Sequence, residues 1–247
     1  MVSAGQEIFM AQQDTGAESV TLTEQAVQRL HHDILSGKLS PGVKLGISNL
    51  VATYEIGATP IREALSRLVS QNLIVASGRR GFFVRELSEA DLRDITNTRL
   101  LIECEGIRLS MERGGDEWEA EVLAQMHRLR LFVERHGSNF GEQHHELDRL
   151  HRQFHASLLA GCGSPRLIQL ADNLYSQAFR YRRILMTTWS DPDHYIANHK
   201  ELADAVLARD LNHATNLNRT HLFSTLRRIY QTDPQPTLYA EEPKEPR

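Results

Sequence analysis

The pattern of this chain changes once, just past Val84, and that change limits the folds open to it. Before it, helical stretches surround one β-rich pair of segments. After Ser88, helical periodicity runs for about 145 residues with no competing strand pattern. Its breaks are Gly114-Gly115, Gly137, Gly161-Cys162-Gly163-Ser164-Pro165 and Asp191-Pro192, the residues that end helices and form turns. A chain patterned in this way is mainly α, with a small mixed head and a larger helical body.

The head is legible in detail. Thr21-Leu22-Thr23-Glu24 is a Thr-x-x-Glu capping box, and Val27, Leu30, Ile34 and Leu35 follow at helical spacing up to Gly37. Ser40-Pro41-Gly42 is a turn, and residues 48–54 form a short helix that breaks at Gly57. Thr59-Pro60 starts a third helix, with threonine as the cap and proline at the first helical position, where it gives up only an orphan donor. Ile61, Leu65 and Leu68 form its buried stripe, leaving Arg62, Glu63, Ser66 and Arg67 outward. Leu73-Ile74-Val75 and Phe82-Phe83-Val84, joined through Ser77-Gly78-Arg79-Arg80-Gly81, read as a β-hairpin. Three helices and a hairpin make a winged helix-turn-helix over residues 20–86. Residues 87–231 read as an antiparallel all-α bundle, with helices from Ser88 to Gly114 and at 117–135, 142–159, 166–189, 193–208 and 211–230. Residues 1–19 and 232–247 are polar, the latter proline-rich, and are expected to be disordered tails.

Charge divides along the same line. Residues 20–85 carry a net +4, whereas residues 86–230 carry −3 and the whole chain −4. A basic module on an acidic chain fits nucleic-acid binding. No apolar run approaches the ~20 residues that span a bilayer. The start Met-Val-Ser-Ala-Gly-Gln-Glu lacks a basic, apolar export signal, and Cys104 and Cys162 are too few for a disulfide framework. The expected setting is cytoplasmic, without a membrane.

The order Pro41-Gly42, Thr59-Pro60-Ile61-Arg62-Glu63-Ala64-Leu65-x-x-Leu68 and Arg80-Gly81-Phe82-Phe83-Val84 resembles the DNA-binding domain of the GntR superfamily of bacterial transcription regulators. The helical body resembles the FCD ligand-binding domain of its FadR subfamily. The resemblance spans about residues 20–230. It implies a homodimer on an inverted-repeat DNA operator, a small organic-acid effector and a divalent metal inside the bundle. Two departures stand out: Gly57-Ala58-Thr59-Pro60 replaces the usual Ser-Arg-Thr-Pro, and Ser48 stands where some relatives place a DNA-contacting arginine. Fewer charged DNA contacts, or a different half-site, are expected.

In a recognition helix the first turns meet base edges, and arginine is the best bidentate partner of guanine. Arg62 is therefore the leading base contact, set against the alternative of a surface arginine paired to an acid. Thr59 is expected to cap the helix and touch a phosphate. Arg79, Arg80 and Gly81 form the wing tip, placed to enter a minor groove or grip phosphate. Arg67, Lys38 and Lys44 are read as phosphate contacts or plain surface.

Twelve histidines is a high count, and His151 and His155, four apart, project from one helical face and can grip one ion. The resemblance adds His199 and His221 on later helices. It also shows histidine at 151, where Asp-x-x-Phe-His is usual and this chain has His151-Arg152-Gln153-Phe154-His155. Asp148 is an alternative source of the missing carboxylate. Imidazole-rich ligation selects zinc first, then nickel or cobalt, over magnesium or calcium. His144, His145, His194 and His213 are read as surface histidines. Arg99 of Arg99-Leu100-Leu101-Ile102-Glu103 resembles the arginine that faces the effector in relatives, and a salt bridge to Glu103 is the competing reading; Arg183 and Tyr181 are weaker pocket candidates. The leading function is a metabolite-responsive regulator. The alternatives are a regulator with a purely structural metal and a metal-dependent hydrolase. The hydrolase lacks a nucleophile elbow, a His-Glu-x-x-His motif and a placed general base.

Overall fold

A computed structural model describes residues 20–186 and 188–231. The two tails read from the sequence lie outside the described residues. The chain order is α1 (Leu22–Leu35), β1 (Lys44–Leu45), α2 (Ile47–Tyr54), α3 (Ala58–Ser70), β2 (Ile74–Ser77) and β3 (Gly81–Val84), then α4 (Glu89–Arg113), α5 (Asp116–His136), α6 (His144–Leu159), α7 (Pro165–Met186), α8 (Pro192–Leu207) and α9 (Leu211–Tyr230). This is a winged helix-turn-helix followed by an antiparallel helical bundle.

Both arms of the expected capping box form at α1. The Glu24 amide donates to Thr21 Oγ1 at 3.2 Å, and the Thr21 amide donates to Glu24 Oε2 at 2.9 Å. Ala26, Leu30 and Ile34 then bury one stripe against Ile61, Ala64, Leu65 and Leu68 of α3. A polar knot fixes α2 to α1: the Tyr54 hydroxyl donates to Asp33 Oδ2 at 2.6 Å, Lys38 pairs with the same carboxylate at 2.8 Å, and Arg29 donates to the Tyr54 carbonyl at 2.9 Å. That last bond satisfies a helix end whose next residue, Glu55, is left-handed (φ 56°).

Two details of the head differ from the sequence reading. Gly57, not Thr59, is the N-cap of α3; Thr59 lies inside the first turn with Pro60 after it. The first turn has no intrahelical acceptors for its amides, so proline is tolerated two residues deeper than expected. The hairpin also gains a third strand: β1 pairs antiparallel with β3, Lys44 opposite Phe83 and Leu45 opposite Phe82, giving the order β1-β3-β2. Two residues are too short for alternation to show.

Within the bundle, α4 is the central rod, packed on α6, α7 and α9. Ser88 Oγ accepts the Asp91 amide at 3.1 Å to start it. Its end is held by Arg209, which donates to the carbonyls of Met111 and of Gly114 and pairs with Glu119 at 2.7 Å. Gly106 lets α4 approach α6 and α7 closely, since a Cβ there would sit 2.8 Å from Leu159 Cγ and Leu167 Cδ2. Gly106→Val is expected to cost ~1–3 kcal/mol through overpacking, a drop of ~2–4 °C in thermal midpoint per kcal/mol. An unchanged melting curve would show that the helices have room to part.

Candidate metal centre and nucleic-acid interface

Helix α6 buries Leu147, Leu150, His151, Phe154, His155 and Leu158, a stripe of helical period in which two positions are imidazoles. Packing of α8 and α9 brings His199 and His221 to the same place. One nitrogen from each of His151, His155, His199 and His221 lies within 4.8 Å of the others. The first three rings are buried, and His221 is half-buried at the edge of a cavity.

The hydrogen bonds around these rings decide which nitrogens face inward. The Tyr175 hydroxyl donates to Asp148 Oδ1 at 2.8 Å, so its oxygen accepts from His151 Nδ1–H, also at 2.8 Å. That leaves the His151 Nε2 lone pair inside the cluster. His199 Nδ1 lies 2.7 Å from the Tyr195 carbonyl, which can only accept, so Nε2 is again the unprotonated atom. His199 Nε2 is buried with no hydrogen-bond partner in the structure, as is His155 Nδ1. His155 Nε2 lies 3.1 Å from His151 Nε2. Burial, reinforced by repulsion among the rings and by nearby arginines, holds His151, His155 and His221 far below the ordinary imidazole range. Burial likewise pushes His199 down to about 4. Neutral rings with converging lone pairs, two of them oriented by outer partners, are the donor set a borderline-soft divalent ion takes.

Asp148 does not join this donor set. It accepts from Tyr175 and pairs with Arg182 at 2.7 Å, behind His151. The reason is geometric: residue 148 is one turn before 151, and its carboxylate reaches α7 rather than the centre.

The cavity beside the rings measures about 540 Å³. Arg99, Arg182, Trp189, Tyr195, His199 and His221 line it. The salt-bridge reading of Arg99 is observed, its Nε pairing with Glu103 Oε1 at 2.7 Å with both side chains buried, and the residue also lines the cavity. The guanidinium carbons of Arg182 and Arg99 lie 4.6 and 5.4 Å from the centre of the Tyr175 ring. Arg182, Tyr175, Trp189 and Tyr195 were not singled out from the sequence, although their neighbours Tyr181 and Arg183 were weaker pocket candidates. Tyr181 and Arg183, the weaker candidates, do not line the cavity. His194, read as surface, is exposed at the cavity mouth.

On the head, Thr59, Arg62 and Arg67 are exposed along α3, opposite its buried stripe. Arg79 and Arg80 are exposed in the turn between β2 and β3, which ends at Gly81 with φ 96°. None of these four arginines is held in an ion pair among the described residues. Lys38, by contrast, is taken by Asp33.

The cluster fixes a pH response. Above about pH 6.5 the four histidines are neutral whether folded or not, and contribute no pH dependence. Below it the unfolded chain binds protons that the folded chain refuses, so stability falls as pH drops toward the folded values, about 4 for His199. Each histidine contributes up to ~1.4 kcal/mol per pH unit. The chelator-treated protein should lose thermal stability steadily from pH 7 to 5, and His199→Asn should make that slope shallower. A flat profile would mean that the rings are hydrated.

Comparison with known proteins agrees with these two halves. Residues 22–84 match the model of the bacterial regulatory proteins of the gntR family, and residues 94–224 match the FCD domain. The chain is 38% identical over 208 residues to the HTH-type transcriptional repressor GlaR of Escherichia coli K12, covering 82% of this chain and 93% of the relative. It is 36% identical over 211 residues to the HTH-type transcriptional regulator BphR of Paraburkholderia xenovorans LB400, covering 85% and 86%. The solved structure of E. coli McbR/YncC superposes with a TM-score of 0.68 at 25% identity, over 86% of this chain and all of that one. Among the described residues no helix is long and apolar enough to cross a membrane. The hydrolase alternative falls away, because relatives and fold alike are those of regulators, not enzymes. The chain belongs to the GntR family of DNA-binding transcription regulators, in the branch whose second domain is an FCD domain.

Proposed function

We propose that this regulator binds an inverted-repeat operator as a homodimer in the cytoplasm, and that His151, His155, His199 and His221 hold one divalent ion, zinc before nickel or cobalt. The ion would supply a Lewis-acidic position for a small carboxylate effector in the adjoining cavity. The division of the chain at residue 86, with head and bundle as separate domains, belongs to the same reading. The observation that carries it is the convergence of four imidazoles from three helices, three of which, His151, His199 and His221, line a cavity of about 540 Å³.

Charge bookkeeping supports an anion as the ligand. Arg99 is neutralised by Glu103 and Arg182 by Asp148, so these pairs add no net charge to the cavity. Four neutral rings leave the double charge of an ion uncancelled, where an aspartate ligand would halve it. The terminal nitrogens of Arg99 and Arg182 can orient a carboxylate, since a guanidinium fork matches its geometry. Tyr175 and Tyr195 fix the rings that would bind the ion.

Calorimetry with zinc and with small carboxylates such as succinate and benzoate tests the proposal. The wild-type chain should take up about one zinc ion, and Tyr175→Phe should weaken that uptake ~10–100-fold by releasing His151. Carboxylate binding should vanish on chelation. Equal carboxylate binding with and without metal refutes the metal-centred pocket.

For the head, Arg62→Ala should cost ~1–3 kcal/mol of operator affinity and relax selectivity at one base pair, while Arg79→Ala should weaken all sequences alike and lower the salt slope by about one. Gel-shift titrations against operator DNA at two salt concentrations measure both. A uniform loss for Arg62→Ala would move it from base contact to phosphate contact.

A further inference from the structure

Only residues 85–88 join the last strand of the head to the first helix of the bundle. A free tetrapeptide would let the head swing, since each unfixed residue retains ~1–2 kcal/mol of conformational entropy. Here the linker is tied at two points to one helix and packs into an apolar cluster shared by α4, α7 and α9. The Arg85 carbonyl accepts from Arg180 of α7. Leu87 packs into the apolar cluster that contains Tyr181. The Ser88 amide donates to the Tyr181 hydroxyl at 3.0 Å, and that hydroxyl donates in turn to Asp91 at 2.7 Å.

The ties continue into the head. The Arg85 side chain donates to the Asn72 carbonyl at 2.9 Å and to Asn72 Oδ1 at 3.2 Å, at the base of the wing. Arg183 of α7 lies against Gly37, the left-handed residue (φ 78°) that follows α1, where any Cβ would collide with its guanidinium. Arg180 and Tyr181 are 4% and 1% exposed. Burying a guanidinium to hold a main-chain carbonyl is a poor source of stability, because the desolvation cost is large. It is a good source of orientation.

We propose that Arg180 and Tyr181 are positioning residues for DNA reading: by clamping the linker they fix where α3 points relative to the bundle, and so which half-site spacing a dimer accepts. The inference rests on the inverted-repeat homodimer reading above. Arg182, between the clamp and Arg183, faces the cavity and Asp148, so one turn of α7 carries both sets of contacts.

Selection from random-sequence DNA with the full chain yields the preferred repeat. Affinity is then measured for a single half-site and for repeats with one or two base pairs inserted. The wild type should lose about tenfold or more on insertion, because only a rigid pair of heads gains from linked binding at one spacing. Tyr181→Phe, which keeps the ring in its apolar cluster, and Arg180→Gln should reduce that penalty to about threefold or less, with single half-site affinity within about twofold of wild type. Arg180→Lys, which can still donate to the Arg85 carbonyl, should restore part of it. Variants that keep the wild-type penalty overturn the proposal. So does an equal loss on every DNA, which marks a merely structural role. A wild type that selects only single half-sites overturns the dimer reading, and this inference with it.

Discussion

Four imidazoles converge on one largely buried place in the bundle, and the side chains around them are arranged to suit. Rings whose nitrogens lie within 4.8 Å of one another cannot be charged together in a medium that solvates poorly, so they stay neutral. Neutral imidazole has one donor and one acceptor, and each must be placed. Tyr175 and the Tyr195 carbonyl take the outer protons of His151 and His199. The inner lone pairs are left facing each other, an arrangement that an apolar core would avoid and a cation would relieve.

The buried charges follow the same logic. Arg99 and Arg182 would be prohibitive beside a cation if unpaired, and each has its own carboxylate on a bundle helix: Glu103 one turn along α4, Asp148 across on α6. Asp148 thereby serves three groups at once, since Tyr175 and through it His151 also depend on it. The histidine at 151 and the carboxylate at 148 are best understood together: the acid, one turn earlier on α6, supports the imidazole through Tyr175.

How much of this the sequence discloses depends on whether the signal is local. His151 and His155 announce a shared face because a helix turns every 3.6 residues, and the capping box at Thr21 forms because all its atoms lie within four residues. Gly57 rather than Thr59 caps α3, and local sequence does not separate them because glycine and threonine both accept the required backbone shape. β1 is two residues long, below the length at which alternation exists. Nothing local in the sequence marks Arg180 and Arg182 as buried. Their burial is set by Arg85 and Asp148, which are 95 and 34 residues away in sequence.

The run Arg180-Tyr181-Arg182-Arg183 also explains why α7 is where the two halves of the molecule meet. Residues three apart on a helix share a side, so Arg180 and Arg183 both turn toward the head, one to the linker and one to Gly37 at the end of α1. Tyr175 and Arg182, two turns apart, share another side and turn toward His151 and Asp148. After Met186 the helix ends, and the loop through Trp189 to Asp191 becomes cavity wall. The contacts with the head, at Arg180 and Arg183, and the start of the cavity wall thus lie within a few residues of one another at the end of α7. Coupling between cavity and head through this helix would be limited to a ligand's difference in affinity for two placements of that loop.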